Sequence, residues 1–137
     1  MVNAIFIIAI ALGTAFFLGL LREQWRGLAY ILTLAALAIT SSIAGNWVWA
    51  LGWGGAMPME ILTAGAKPPF AINLRIALPE ATALLLVNLA GLLSAIYLRD
   101  TLFKQGRRAM AVLLIFTMAL SGIILTRDLF NLFVFFE

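Results

Sequence analysis

Residues 4–21, 28–51 and 109–126 carry no charged side chain, and residues 77–98 carry only Glu80, close to their start. At ~1.5 Å of rise per residue, each run is long enough to cross most or all of a hydrocarbon slab ~30 Å thick. Lipid cannot satisfy exposed backbone N–H and C=O groups, so such runs must close their hydrogen bonds within helices. The fold expected is therefore all-α: a multi-pass transmembrane helix bundle in a single membrane domain, residues 1–137. It has four full spans (4–21, 28–51, 77–98 and 109–126) and the start of a fifth at 128–137. The composition agrees. With 64% apolar and 11% charged residues, the chain is not an ordinary soluble domain.

What is missing narrows the chemistry. There is no Cys and no His, which excludes thiolate-held clusters, imidazole-held haem and disulfides. No phosphate-binding glycine loop, metal-ligand spacing or nucleophile with a base is present, so no cofactor or metal is expected, nor a stand-alone enzyme. The net charge of +3 sits between the apolar runs, facing lipid headgroups rather than nucleic acid. Met1-Val2-Asn3-Ala4 lacks the basic start of a secretory signal, and the first run reads as a retained span. Ala11, Ala15 and Gly19 recur every fourth residue there, a small-residue stripe for close helix packing.

The connections are short except one. Residues 22–27 form a basic loop with Trp25. The hydroxyls of the second span, among them Thr33, Thr40 and Ser41, are expected to bond back to backbone or to a neighbouring helix. Trp47, Trp49 and Trp53 look like an aromatic belt at its far end. Residues 52–78 hold repeated Gly and Pro, and the alternation over 70–76 predicts a strand or short β-hairpin in this connection. Pro79 and Glu80 suit the first turn of the third span. Asn88 either bonds to a neighbouring helix or lines a hydrated path. Residues 99–108, with four cations, read as a loop. The basic first and third connections place the N-terminus outside by the positive-inside rule, with the chain in the cell (inner) membrane.

The last stretch, Asp128-Leu129-Phe130-Asn131-Leu132-Phe133-Val134-Phe135-Phe136-Glu137, is the most informative. Asp128 suits a helix cap. Glu137 follows ~13 Å further along the helix, near the midplane, where an ionisable group marks a functional site by default. Nine residues apart, the two carboxylates face opposite sides of one helix and form no dyad. Phe130, Phe133 and Val134 share the face of Glu137, either lining a dry approach or packing against other helices.

These ten residues closely resemble the fifth-helix motif of the antiporter-like membrane subunits. The family includes the D-type component, and part of the A-type component, of Mrp-type cation/proton antiporters. It also includes membrane subunits of energy-converting hydrogenases and the proton-pumping chains of complex I. The wording is most similar to the Mrp D and membrane-bound hydrogenase branch. Pro68-Pro69-Phe70-Ala71-Ile72-Asn73-Leu74 resembles the family's P-P-F-G-I segment, with Ala71 in place of glycine; Arg127 replaces a frequent glycine before the aspartate.

The resemblance implies that Glu137 is the ion-translocating residue, with Asp128, Asn131 and Asn88 as supporting candidates. Desolvation disfavours the charged form of a carboxyl and a nearby cation favours it, so a switchable cationic partner lets such a Glu take up and release a proton. Family members supply that partner as lysines on later helices. Here the only lysines are Lys67 and Lys104, both in connections.

The resemblance therefore implies a proton/cation-translocating subunit of a multi-subunit complex, handling H⁺ and in some members Na⁺. A naturally short or split subunit is expected, completed by a partner subunit that supplies the missing helices and lysines. The alternative is a structural or assembly subunit of such a complex with no transport of its own.

Overall fold

The charge-free runs form the long helices. The computed structural model describes residues 3–62 and 73–137. Helix α1 spans Ile5–Leu20, α2 Arg26–Gly52 and α3 Leu78–Tyr97, while α4 covers Arg99–Gln105, α5 Arg107–Leu125 and α6 Leu129–Phe136. Three of these, α2, α3 and α5, are long and apolar enough to cross a membrane; α1 is apolar but shorter. Strands β1 (Met59–Leu62) and β2 (Asn73–Ile76) pair antiparallel, Met59 opposite Ile76 and Leu62 opposite Asn73. The expected hairpin is thus present. Residues 70–72 of the alternating stretch, the Pro68-Pro69 pair and Lys67 lie outside the described residues.

The interior is small and weakly polar, and the exterior is large and apolar. Ala11, Ala15, Ala29, Ala36, Ala44, Ala81 and Ala95 are buried together with Thr33, Thr40, Ser41, Thr117 and Ser121, whereas Phe16, Leu20, Leu86, Leu93, Val112 and Phe116 are exposed. A soluble protein reverses this order. Here the exposed side chains suit lipid, and the small ones let backbones approach. The buried hydroxyls return to their own helices: Thr33 donates to the Ala29 carbonyl (2.8 Å), Ser41 to Leu37 (2.7 Å) and Ser121 to Thr117 (2.8 Å).

Helix α5 packs against every other helix and also touches β2. One close approach is to α3. A Cβ added at Gly91 would lie 2.6 Å from Thr117 Cγ2 on α5 and 3.4 Å from Leu37 Cδ2 on α2. Glycine is required because three helices meet there. Asn88, one turn earlier on α3, donates to Ser121 Oγ on α5 (3.3 Å) and to the Leu84 carbonyl (2.8 Å). Of the two readings open for Asn88, the interhelical bond is the one formed.

Three local expectations are corrected. Residues 99–108 are not a plain loop, because Arg99–Gln105 coil into α4 with Asp100 in the first turn and Lys104 in the last, complementing the helix dipole. Leu102 anchors α4 to the core, and Gly106, at φ +82°, makes the sharp corner into α5. Trp47 does not join the aromatic belt. It is buried in the core, while Trp49 and Trp53 are exposed; two residues along a helix turn a side chain ~200° away. Gly19 falls off the small-residue stripe, since Ala11, Ala15 and Leu18 carry the buried face of α1.

The two ends of the bundle are tied differently. At the basic end, Glu23 accepts from Arg26 Nε (3.2 Å) and Arg107 Nε (3.2 Å). Arg107 also donates to the Leu18 (3.1 Å) and Gly19 carbonyls, capping the C-terminus of α1, and Arg26 donates to the Phe103 carbonyl (3.1 Å). Replacing Gly91 with alanine should drive α3 away from α5 and cost about 1–3 kcal/mol. The check is thermal unfolding in detergent, where an unchanged midpoint would contradict the three-helix contact.

Candidate functional site

The start of α6 is held by the end of the bundle opposite the basic one. Thr126 bridges to Leu74 of β2, and the Arg127 N–H donates to the Asn73 carbonyl (2.9 Å). The α5–α6 link is therefore tied to the edge of β2 by a single antiparallel bridge. The Arg127 guanidinium pairs with Glu80, whose other oxygen accepts the Ala77 N–H (3.0 Å) at the start of α3. Arg127 thus joins α3 to the start of α6. Glu80 serves the helix terminus, as its position suggests. Asn73 Oδ1 is buried with no partner among the described residues.

Asp128 caps α6: Oδ1 accepts from the Phe130 N–H (3.1 Å) and Oδ2 from Asn131 Nδ2 (3.1 Å). Asn131 is the one fully buried side chain of α6. One turn later the Phe135 ring lies against Gly122, and a Cβ added to that glycine would collide with the ring. Gly122 adjoins Ser121, the partner of Asn88. Asp128, Asn131 and Asn88 are therefore fixed by ordinary capping and packing bonds, with Asp128 and Asn131 in direct contact and Asn88 bonded to Ser121 of α5.

Glu137 lies apart from these three. It is exposed and lines a groove of about 530 Å³ with Ile8 and Leu12 of α1, Ile115, Phe116 and Met118 of α5, and the last residues of α6. Every other lining residue is apolar, so Glu137 is the one ionisable group in this groove among the described residues. Leu12 lies midway along α1 and Phe116 midway along α5. The groove that the carboxylate lines therefore runs past the middles of α1 and α5. Phe130 and Phe133 neither line the groove nor pack between the described helices, being 72% and 60% exposed. Phe135, on the opposite face, makes the helix contact.

Two features escaped the sequence reading, the Glu80–Arg127 pair and the seating of Phe135 on Gly122. Only a glycine on α5 hinted at the second. The first joins residues 47 positions apart, with no local pattern to mark it.

Comparison with known proteins gives a structural relative. The chain is similar to a chain of the membrane-bound sulfane sulfur reductase, an archaeal respiratory membrane complex, at 27% identity and a TM-score of 0.82. The match covers 96% of this chain and 27% of that one, so the sequence spans about a quarter of its neighbour's length. No family model matches the sequence, and no curated protein matches it.

Replacing Gly122 with alanine should push the Phe135 ring off α5 and loosen α6 without disturbing α1–α3. Amide hydrogen exchange checks this: faster exchange confined to residues 129–137 is expected, and uniform exchange across the chain would contradict it.

Proposed function

We propose that this chain is a membrane subunit of a multi-subunit energy-converting complex, and that Glu137 is its proton- or cation-translocating carboxylate. The carrying observation is that, among the described residues, Glu137 is the one ionisable group in an apolar groove that runs past the middles of α1 and α5. The likeness to a chain of a respiratory membrane complex, over nearly the whole sequence, supports the assembly.

The chemistry follows from placement. A carboxylate can bind and release a proton or a cation, and the apolar walls around this one offer the ion no competing ligand. Among the described residues every arginine and Lys104 lie in the connections or at helix ends, so the switching cation comes from a neighbouring segment or subunit. The motif resemblance favours an Mrp-type Na⁺/H⁺ antiporter or a related hydrogenase- or complex I-like machine, in the cell (inner) membrane with the N-terminus outside. Asp128 and Asn131 support Glu137 by fixing the start of α6, and Asn88 by bracing α5 behind it.

The second reading, a scaffold subunit without transport, draws on the groove having no cationic side chain among the described residues. Glu137→Gln separates the two. Assembly should be unchanged, and ion translocation by the reconstituted complex, followed with a pH-sensitive dye, should fall to background. Full retention of transport would leave the scaffold. Mass spectrometry of co-purifying chains tests the complex itself; recovery of this chain alone, stable and monodisperse, would overturn it.

A further inference from the structure

The basic end of the bundle holds Arg22, Arg26, Arg99, Lys104, Arg107 and Arg108 against only Glu23 and Asp100. Most of the arginines here have work within the fold. Arg26 and Arg107 share Glu23 and cap carbonyls, and Arg99 lies 5.8 Å over the Phe103 ring. Arg108 differs: it is exposed and makes no ion pair or hydrogen bond among the described residues. It stands at the rim of a cleft of about 560 Å³ between α4 and α5, beside Thr101 and Gln105. Below that polar rim the cleft is lined by apolar side chains.

Arg108, Val112 and Phe116 recur every fourth residue, on one face of α5. They form a track ~12 Å long running from the basic end toward the middle of the helix. Val112 is 64% and Phe116 60% exposed, on the outer surface of the bundle. An apolar ligand would leave Arg108 unused, and a bare anion would leave the track empty. An amphiphile with a phosphate at one end and a hydrocarbon chain at the other fits both, and a leaflet facing a basic surface supplies it.

We infer that the α4–α5 cleft binds one anionic glycerophospholipid, with its phosphate on Arg108, Thr101 and Gln105 and an acyl chain along Val112 and Phe116. The same two α5 side chains line the groove of Glu137, so the acyl chain ends against the wall of that groove.

Native mass spectrometry of the full chain, with whatever subunits accompany it, provides the test. Phosphatidylglycerol should be retained over phosphatidylcholine of matched acyl chains. Arg108→Gln should abolish that preference, while Lys104→Gln, an equal loss of charge outside the cleft, should keep it. Val112→Trp, at an exposed position, should fill the track and lose the lipid. Circular dichroism identifies the folded variants on which binding is scored. Equal retention of both lipids, equal losses for Arg108→Gln and Lys104→Gln, displacement by glycerol phosphate alone, or an unaffected Val112→Trp would each overturn the site.

Discussion

Lipid offers helices no hydrophobic push toward one another, so this bundle is held where backbones come close. The decisive approaches involve α5. Gly91 gives up its side chain so that Thr117 and Leu37 can meet over it, and Gly122 does the same for the Phe135 ring. One polar bond, Asn88 to Ser121, runs between these two notches. Such bonds are worth only about 0.6 kcal/mol on average in membranes. The fit of small against large therefore matters more than polar glue.

Around that axis the ends divide the labour. The basic end is a clasp of side chains on carbonyls, closing the termini of α1 and α4 through Arg107 and Arg26. The other end combines backbone and side chains: the hairpin, the Thr126 bridge to Leu74, the Arg127 N–H on the Asn73 carbonyl and the Arg127–Glu80 pair. Asp128 then opens α6 in a fixed direction, and eight helical residues bring Glu137 into the groove lined by Leu12 and Phe116. The position of the carboxylate thus depends on a cap, a sheet edge and a glycine notch.

Much of this was legible in the sequence, because the bilayer imposes a simple grammar. Charge-free runs became helices with ends within about two residues of those expected, and the alternation near Asn73 became a strand. Asp128 as a cap followed from residue type alone. Pairwise facts were not legible. Trp47 reads as belt until its helical phase turns it inward, and Arg99–Gln105 read as loop until Leu102 finds the core. For Glu137 the motif and the rise per residue indicated depth, but its apolar groove required α1 and α5 to be placed side by side.

The central position of α5 also sets a schedule. It follows α1, α2 and α3 along the chain, and membrane helices leave the ribosome in that order. The alanine face of α1, the Gly91 notch and the Asn88 amide therefore all wait in the translocon or bilayer for a partner not yet made. Until it arrives, α2 and α3 can pair, but α1 lacks its main neighbour. The contacts at the centre of the bundle therefore form only after the fourth long helix has been made.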